Sequence, residues 1–177
     1  MSRSKAHIAQ NVVTLLKTSG VVKAPVPVES IAKHLGIEVR YVSAPADVSG
    51  ALVIKEGKAF IVVNEEHHEN RQRFTIAHEI AHFRLHKTNE QAHLDEDFRV
   101  YKRDKKSSLA TDPNEIEANQ YAAELLMPQK FLLGDFLRAR ADRSGIAIRL
   151  ANKYQVSPRA MEFRLGNLGL MVPSFDE

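Results

Sequence analysis

Residues 71–86 read RQRFTIAHEIAHFRLH, and the spacing within them decides how the rest of the chain is read. Phe74, Ile76, Ala77, Ile80, Ala81, Phe83 and Leu85 leave a narrow polar stripe of Thr75, His78, Glu79, His82 and His86, uninterrupted by Gly or Pro, which predicts one helix over about residues 69–86. A helix apolar on most sides is a buried helix, so its stripe must face partners or a cleft. His78 and His82 lie one turn apart on one face, about 6 Å along the axis, so both imidazoles can converge on one ion. Glu79 stands about 100° round from His78, beside such an ion and not on it, where its carboxylate can take a proton from water. His78-Glu79-Ile80-Ala81-His82 is therefore an H-E-x-x-H motif, the pattern of metal-dependent hydrolysis, and it lacks a third ligand.

The rest of the composition narrows the chemistry. The 177 residues, 44% hydrophobic, suffice for one ordinary domain with a core and a small appendage. There is no Cys, so disulfides, thiolate metal sites and cysteine nucleophiles are excluded, and any ion must be held by His and carboxylate. The first residues lack the apolar run of a signal peptide and no later run reaches about 18 apolar residues, so a cytoplasmic protein without a membrane span is expected. The net charge of +3 is unevenly spread, with Lys102, Arg103, Lys105 and Lys106 clustered and Arg138, Arg140, Arg143 and Arg149 further on. That permits direct nucleic-acid binding without favouring it.

Around the motif the periodicities predict an α+β fold with a small sheet of about three strands packed on helices. Ile8, Val12, Leu15 and Leu16 mark a first helix, residues 28–35 a second closed by Gly36, and Ile37, Val39 and Tyr41 a half-buried strand. Residues 51–55 and 59–63 form an antiparallel hairpin through Glu56-Gly57. Residues 89–108 show no sustained period and are expected to be mostly loop, partly mobile. Asp112-Pro113 starts a helix that Pro128 ends, and helices follow over 131–141, 146–154 and 158–165. The expected division is 1–127 for the motif-bearing domain and 128–177 for a helical subdomain resembling a helix-turn-helix, whose Ile146, Ile148, Leu150, Met161, Phe163 and Leu165 suit core packing.

Two carboxylates compete for third ligand. With Glu115 as origin, Asn119, Ala122 and Leu126 fall within about 40° of it, whereas Glu117 falls near 200°, beside Glu124 and on the side of Tyr121. This phase puts Glu115 in the apolar stripe, where a buried carboxylate needs a partner such as an ion, and Glu117 on the polar face. Asn119, one turn on, could orient a ligating imidazole. Asp112-x-x-Glu115 also fits a capping box, in which Glu115 bonds back to the cap amide, and phase alone leaves both readings open.

The pair RQRFTIAHEIAHFRLH and, some thirty residues later, EIEANQYAAELLMP (115–128) resembles the ImmA/IrrE family of metallopeptidases, over most of the chain. The resemblance implies a zincin-like catalytic domain with metal ligands His78, His82 and Glu115, general base Glu79, and a bound zinc ion, for which manganese is an alternative. It further implies an endopeptidase whose target is a helix-turn-helix transcriptional repressor, in phage, mobile-element or stress regulation. Ala81 stands where Gly is frequent in the family. Leu85 and Thr88 replace the Gly and His of the metzincin pattern, in keeping with Glu115 as third ligand.

Other residues carry weaker readings. His86 is read as a satisfied helix-end histidine, His67, His68 and His93 as surface or loop residues. One of these, or Tyr121 or Tyr101, could stabilise an oxyanion. An extended substrate could add to the edge of the hairpin sheet. The rival readings are a non-catalytic regulator binding a repressor or DNA around a structural metal, and one component of a toxin–antitoxin pair.

Overall fold

The computed structural model describes residues 4–86, 98–102, 112–139 and 145–170. The elements in order are α1 (Lys5–Thr18), α2 (Val28–His34), β1 (Ile37–Val42), β2 (Gly50–Lys55), β3 (Lys58–Asn64), α3 (Glu69–Ala81) with a π-helical turn (His82–His86), β4 (Phe98–Lys102), α4 (Pro113–Leu126), α5 (Gln129–Arg138), α6 (Ile146–Tyr154) and α7 (Pro158–Asn167). The fold is α+β, as the periodicities predict. The sheet has the order β1-β3-β2-β4, with β1 parallel to β3 and the other pairs antiparallel.

The expected three strands are present and β4 is a fourth. It falls inside the stretch expected to be loop, because the alternation of Phe98 and Val100 about Arg99 is too short, among charged neighbours, to stand out as a period. The remainder of that stretch, and the mobility expected of it, lie outside the described residues. The position of β4 also corrects the expected docking edge. Both hairpin strands are interior, β3 flanked by β1 and β2 by β4, so the sheet's edges belong to β1 and β4.

Ala59, Ile61 and Val63 of β3 alternate with less buried neighbours, and Leu52 of β2 lies opposite Ile61, so one sheet face is apolar. Ile76, Ala77, Ile80 and Ala81 of α3 share one cluster with these residues, with Ile8, Val12 and Leu15 of α1, and with Ala118, Ala122 and Leu125 of α4. The sheet approaches α3 closely at Gly50. A Cβ there would stand 2.4 Å from the Val62 carbonyl oxygen and 2.5 Å from Thr75 Cγ2, so only Gly fits.

The entry into α3 is set by hydrogen bonds from buried Asn64. Its amide donates to the carbonyls of Ala44, Pro45 and Val48 at 2.9–3.2 Å, and Oδ1 accepts from Glu66 N–H. Gln72 donates to the carbonyls of Glu65 and His67, and His68 Nδ1 caps the helix by accepting from Asn70 N–H at 3.1 Å. The far end of α3 departs from the expected single α-helix. From His82 the chain takes i→i+5 bonding, a wider turn that is frequent at functional sites. The sequence holds no Gly or Pro there to announce it.

The C-terminal helices are tied to the rest across residue 128. Arg164 of α7 forms an ion pair with Glu124 of α4 and donates from Nε to the Met127 carbonyl at 3.1 Å. Both side chains are nearly buried, so removing one partner costs about 3–5 kcal/mol. Asp135 of α5, 6% exposed, receives Lys153 and Arg138 at 2.6 and 2.5 Å and the Tyr154 hydroxyl at 2.9 Å. Ile146, Leu150, Met161 and Leu165 are core, as expected, but Ile148 and Phe163 of the same helix pair are exposed. Among the described residues no helix is long and apolar enough to cross a membrane.

Gly50→Ala is expected to cost about 1–3 kcal/mol in a urea titration, since the backbone oxygen of Val62 cannot give way as a side chain would; a change below about 0.5 kcal/mol would contradict the close approach. Burial pushes the Asp135 carboxyl up, but Lys153, Arg138 and Tyr154 outweigh it and leave it below the usual carboxylate range. A depressed folded-state value gives stability that is present above about pH 4 and lost as pH falls through the lower folded value. The stability difference between wild type and Asp135→Asn should therefore shrink on acidification below about pH 4, and a difference independent of pH would refute the clamp.

Candidate metal centre

The apolar face of α3 sinks the helix into the core, and its polar stripe goes with it: Thr75 and His78 are fully buried, Glu79 is 2% exposed and His82 9%. A stripe so placed has to be met by polar groups from elsewhere. Most of them come from α4, whose start is fixed by Pro113 at the first position and by Asp112 as N-cap, accepting from Asn114 N–H at 2.8 Å.

Glu115, on the first turn of α4, turns its carboxylate to the imidazoles. Its oxygens lie 3.3 Å from His78 Nε2 and 3.1 Å from His82 Nε2, and the two Nε2 atoms are 2.9 Å apart. Tetrahedral zinc with nitrogen and oxygen ligands at about 2.0–2.1 Å has ligand atoms about 3.3–3.4 Å apart, close to these separations. Among the described residues, His78, His82 and Glu115 are the group of three whose donor atoms are near enough to hold one ion. The donors, two imidazole nitrogens and a carboxylate, suit zinc and manganese alike.

The far side of each imidazole is also engaged. His78 Nδ1 lies 3.1 Å from Asn119 Oδ1, and since that oxygen only accepts, Nδ1 carries the proton and donates. Nε2 of His78 is then the atom aimed at Glu115 and His82. Positive charge is required in the space the three share, because a carboxylate and two ring nitrogens repel one another without it. Burial pushes the Glu115 carboxyl up, but the hydrogen bonds and charge of His78 and His82 prevail and hold it well below the usual carboxylate range. Protons or a divalent ion can supply that charge, and the two compete.

The route by which helical phase points to Glu115 is not the one the structure follows. Glu115 is only part-buried and Asn119 exposed, at the edge of a cleft, while Glu117, Tyr121 and Glu124, the expected polar face, are buried at 3%, 0% and 8%. The buried face of α4 carries these groups because each has a partner. Glu124 pairs with Arg164, Tyr121 donates to Asn11 Oδ1 at 3.2 Å, and Glu117 Oε2 stands 3.4 Å from His86 Nε2. Arg84 of the π turn donates to the same Asn11 oxygen from Nε and from Nη2, which fixes the turn against α1.

Tyr121 is thus a core residue whose hydroxyl is engaged by Asn11. His67 Nε2 donates to the Ala46 carbonyl and His68 is a helix cap, as befits loop residues. His93, the side chain of Tyr101 and the basic residues 103–106 lie outside what is described. His86 is satisfied, as expected, though it is 7% exposed and bonded to His82, inside the structure and not at a helix end in solvent. Two contacts beside the cluster escape the sequence: Glu117, expected on the polar face, lies against His86, and Asn11 receives Arg84 and Tyr121. Beside the cluster, a groove of about 1270 Å³ runs between α1, α3, α4 and α7, with Phe74, Asn119, Met127 and Phe163 in its walls. It passes the supports of His78 and not the three ligand atoms themselves.

An α+β domain that brings an H-E-x-x-H helix against a Glu-bearing helix has the architecture of the zincin-like metal hydrolases. The pattern of the peptidase M78 family, described as the IrrE N-terminal-like domain, matches residues 32–166, and the chain belongs to this ImmA/IrrE family of metallopeptidases. No curated protein gives a match. Among solved structures, a Mycobacterium tuberculosis transcriptional regulator is similar in fold, with a TM-score of 0.62 at 15% identity over 91% of this chain. The chain spans 46% of that protein's length.

Elemental analysis after dialysis against zinc-free buffer is expected to find one divalent ion per chain in the zinc-loaded wild type and a loss of at least tenfold in retention for Glu115→Ala. Equal retention by the two would remove Glu115 from the ligand set.

Proposed function

We propose that the protein is a metal-dependent endopeptidase, with zinc as its ion, that cleaves a peptide bond in a helix-turn-helix transcriptional repressor. The observation that carries the reading is the convergence of His78 Nε2, His82 Nε2 and the Glu115 carboxylate, with Glu79 buried next to His78 in the chain. Membership of the metallopeptidase family supports the reaction class.

His78, His82 and Glu115 would hold the ion. The chemistry such an ion supplies when bound is Lewis acidity, polarising the scissile carbonyl and lowering the pKa of water toward neutrality. Glu79 takes the proton of the attacking water and delivers it to the amine that leaves as the C–N bond breaks. Asn119 keeps His78 in the tautomer that presents Nε2. The groove beside Asn119 and Phe74 is large enough for several side chains of a protein substrate, and an extended segment would pair with the edge of β1 or β4. The repressor as target rests on the resemblance of RQRFTIAHEIAHFRLH and EIEANQYAAELLMP to the family, and a cytoplasmic setting goes with such a target.

Incubation of the zinc-loaded chain with the repressor encoded beside it, followed by mass spectrometry, should give two fragments. Chelation should stop the reaction, and Glu79→Gln should lower its rate at least about 100-fold while metal retention stays at the wild-type level. Cleavage by Glu79→Gln at the wild-type rate would dismiss Glu79 as base, and absence of cleavage by the loaded wild type would dismiss the repressor.

A further inference from the structure

Two imidazoles face Glu115, and their far nitrogens are held in different ways. His78 Nδ1 is met by a neutral amide, Asn119, on the exposed rim. His82 Nδ1 is met at 3.1 Å by Nδ1 of a third imidazole, His86, whose own Nε2 lies 3.4 Å from Glu117 Oε2. All three members of this second chain are buried, at 9%, 7% and 3% exposure. The rings of His82 and His86 are 5.1 Å apart, and both belong to the π turn.

We propose that His86 and Glu117 are positioning residues that form a directed relay, Glu117 to His86 to His82, which fixes the tautomer of His82 and strengthens its Nε2 as a ligand, and so sets the affinity of the centre for its ion. The inference rests on the metal-site reading above. Its direction follows from donor and acceptor chemistry. An ionised carboxylate only accepts, so His86 Nε2 carries the proton and donates to Glu117. A His86 that carries this single ring proton has its lone pair on Nδ1, which places the proton between the two rings on His82 Nδ1. His82 Nε2 is left with its lone pair turned to His78 and Glu115, the form in which imidazole binds a metal.

At 3.4 Å the contact is longer than a charge-assisted hydrogen bond, and the carboxylate acts on the N–H through space by its charge. Drawing the His86 proton toward Glu117 makes His86 Nδ1 a better acceptor, which draws the His82 proton and enriches Nε2. Asn119 offers His78 a dipole and no charge. The two histidines of the motif are thus unequal, and the stronger ligand is the one at the π turn.

The test measures zinc affinity of the full-length protein by competition with a chromogenic chelator. Loss of an outer-shell partner usually weakens a metal by about 10–100-fold. Glu117→Leu and His86→Phe should weaken zinc by that factor. Glu117→Gln, which keeps an acceptor without the charge, should fall between them and the wild type. Urea unfolding of the metal-free variants separates this from a loss of fold: a folded variant with affinity within about twofold of wild type overturns the relay. A merely structural role would move the unfolding midpoint and leave the affinity of the folded fraction unchanged.

Should the Leu and Phe variants not fold, the wild type answers alone. In the zinc-loaded protein, ¹⁵N NMR should place the ring proton of His82 on Nδ1 and that of His86 on Nε2, and a His86 proton on Nδ1 overturns the proposal. Failure of the wild type to bind zinc would instead defeat the metal-site reading itself, so the two failures are told apart by the wild type's own titration.

Discussion

Carrying imidazoles and a carboxylate into an apolar core is the constraint on which the rest of this structure turns. His78 and Glu79 sit on the buried face of α3, and a polar group there costs several kcal/mol unless another polar group meets it. The fold answers by packing α4 directly against α3, so that Glu115, Glu117 and Asn119 reach the three histidines. Asn11, Arg84 and Tyr121 close the same region from α1, the π turn and α4. The site is the polar interior of the core, held by the forces that stabilise the fold.

Such a core explains which parts of the chain were open to reading. The period of the motif helix, the capped start of α4 and the hairpin are local patterns, and they appear where the sequence puts them. Helical phase, in contrast, assigned α4 its faces on the rule that polar residues point to water. Here Glu117 and Glu124 point inward because His86 and Arg164 wait for them, and those partners lie 31 and 40 residues away. The rule fails wherever buried charges are paired over long range, and Glu115 was found by the family pattern more than by the phase. The π turn was illegible for another reason: Phe83, Arg84 and Leu85 are ordinary helix formers, and the wider winding arises from what surrounds them.

The C-terminal helices illustrate a third situation. Their apolar spacing places α6 and α7 correctly, yet spacing cannot tell a detached helix pair from one fastened to the body. Arg164, anchored on Glu124 and on the Met127 carbonyl at the end of α4, fastens it. The same helix α4 thus carries Glu115 at its start and the anchor of α7 near its end. A displacement of α7 would be felt along α4.

The strand β4 falls in the chain between the His82 turn and Glu115, and it pairs with β2 at the rim of the sheet while α3 and α4 meet each other without it. Part of the chain between the two helices is therefore a strand at the end of the sheet's order. Substitutions in such a strand change what the rim can pair with and leave the packing of α3 on α4 untouched. A rim strand can change what it pairs with while the cluster of His78, His82 and Glu115 is held in place elsewhere, by one helix packed on another.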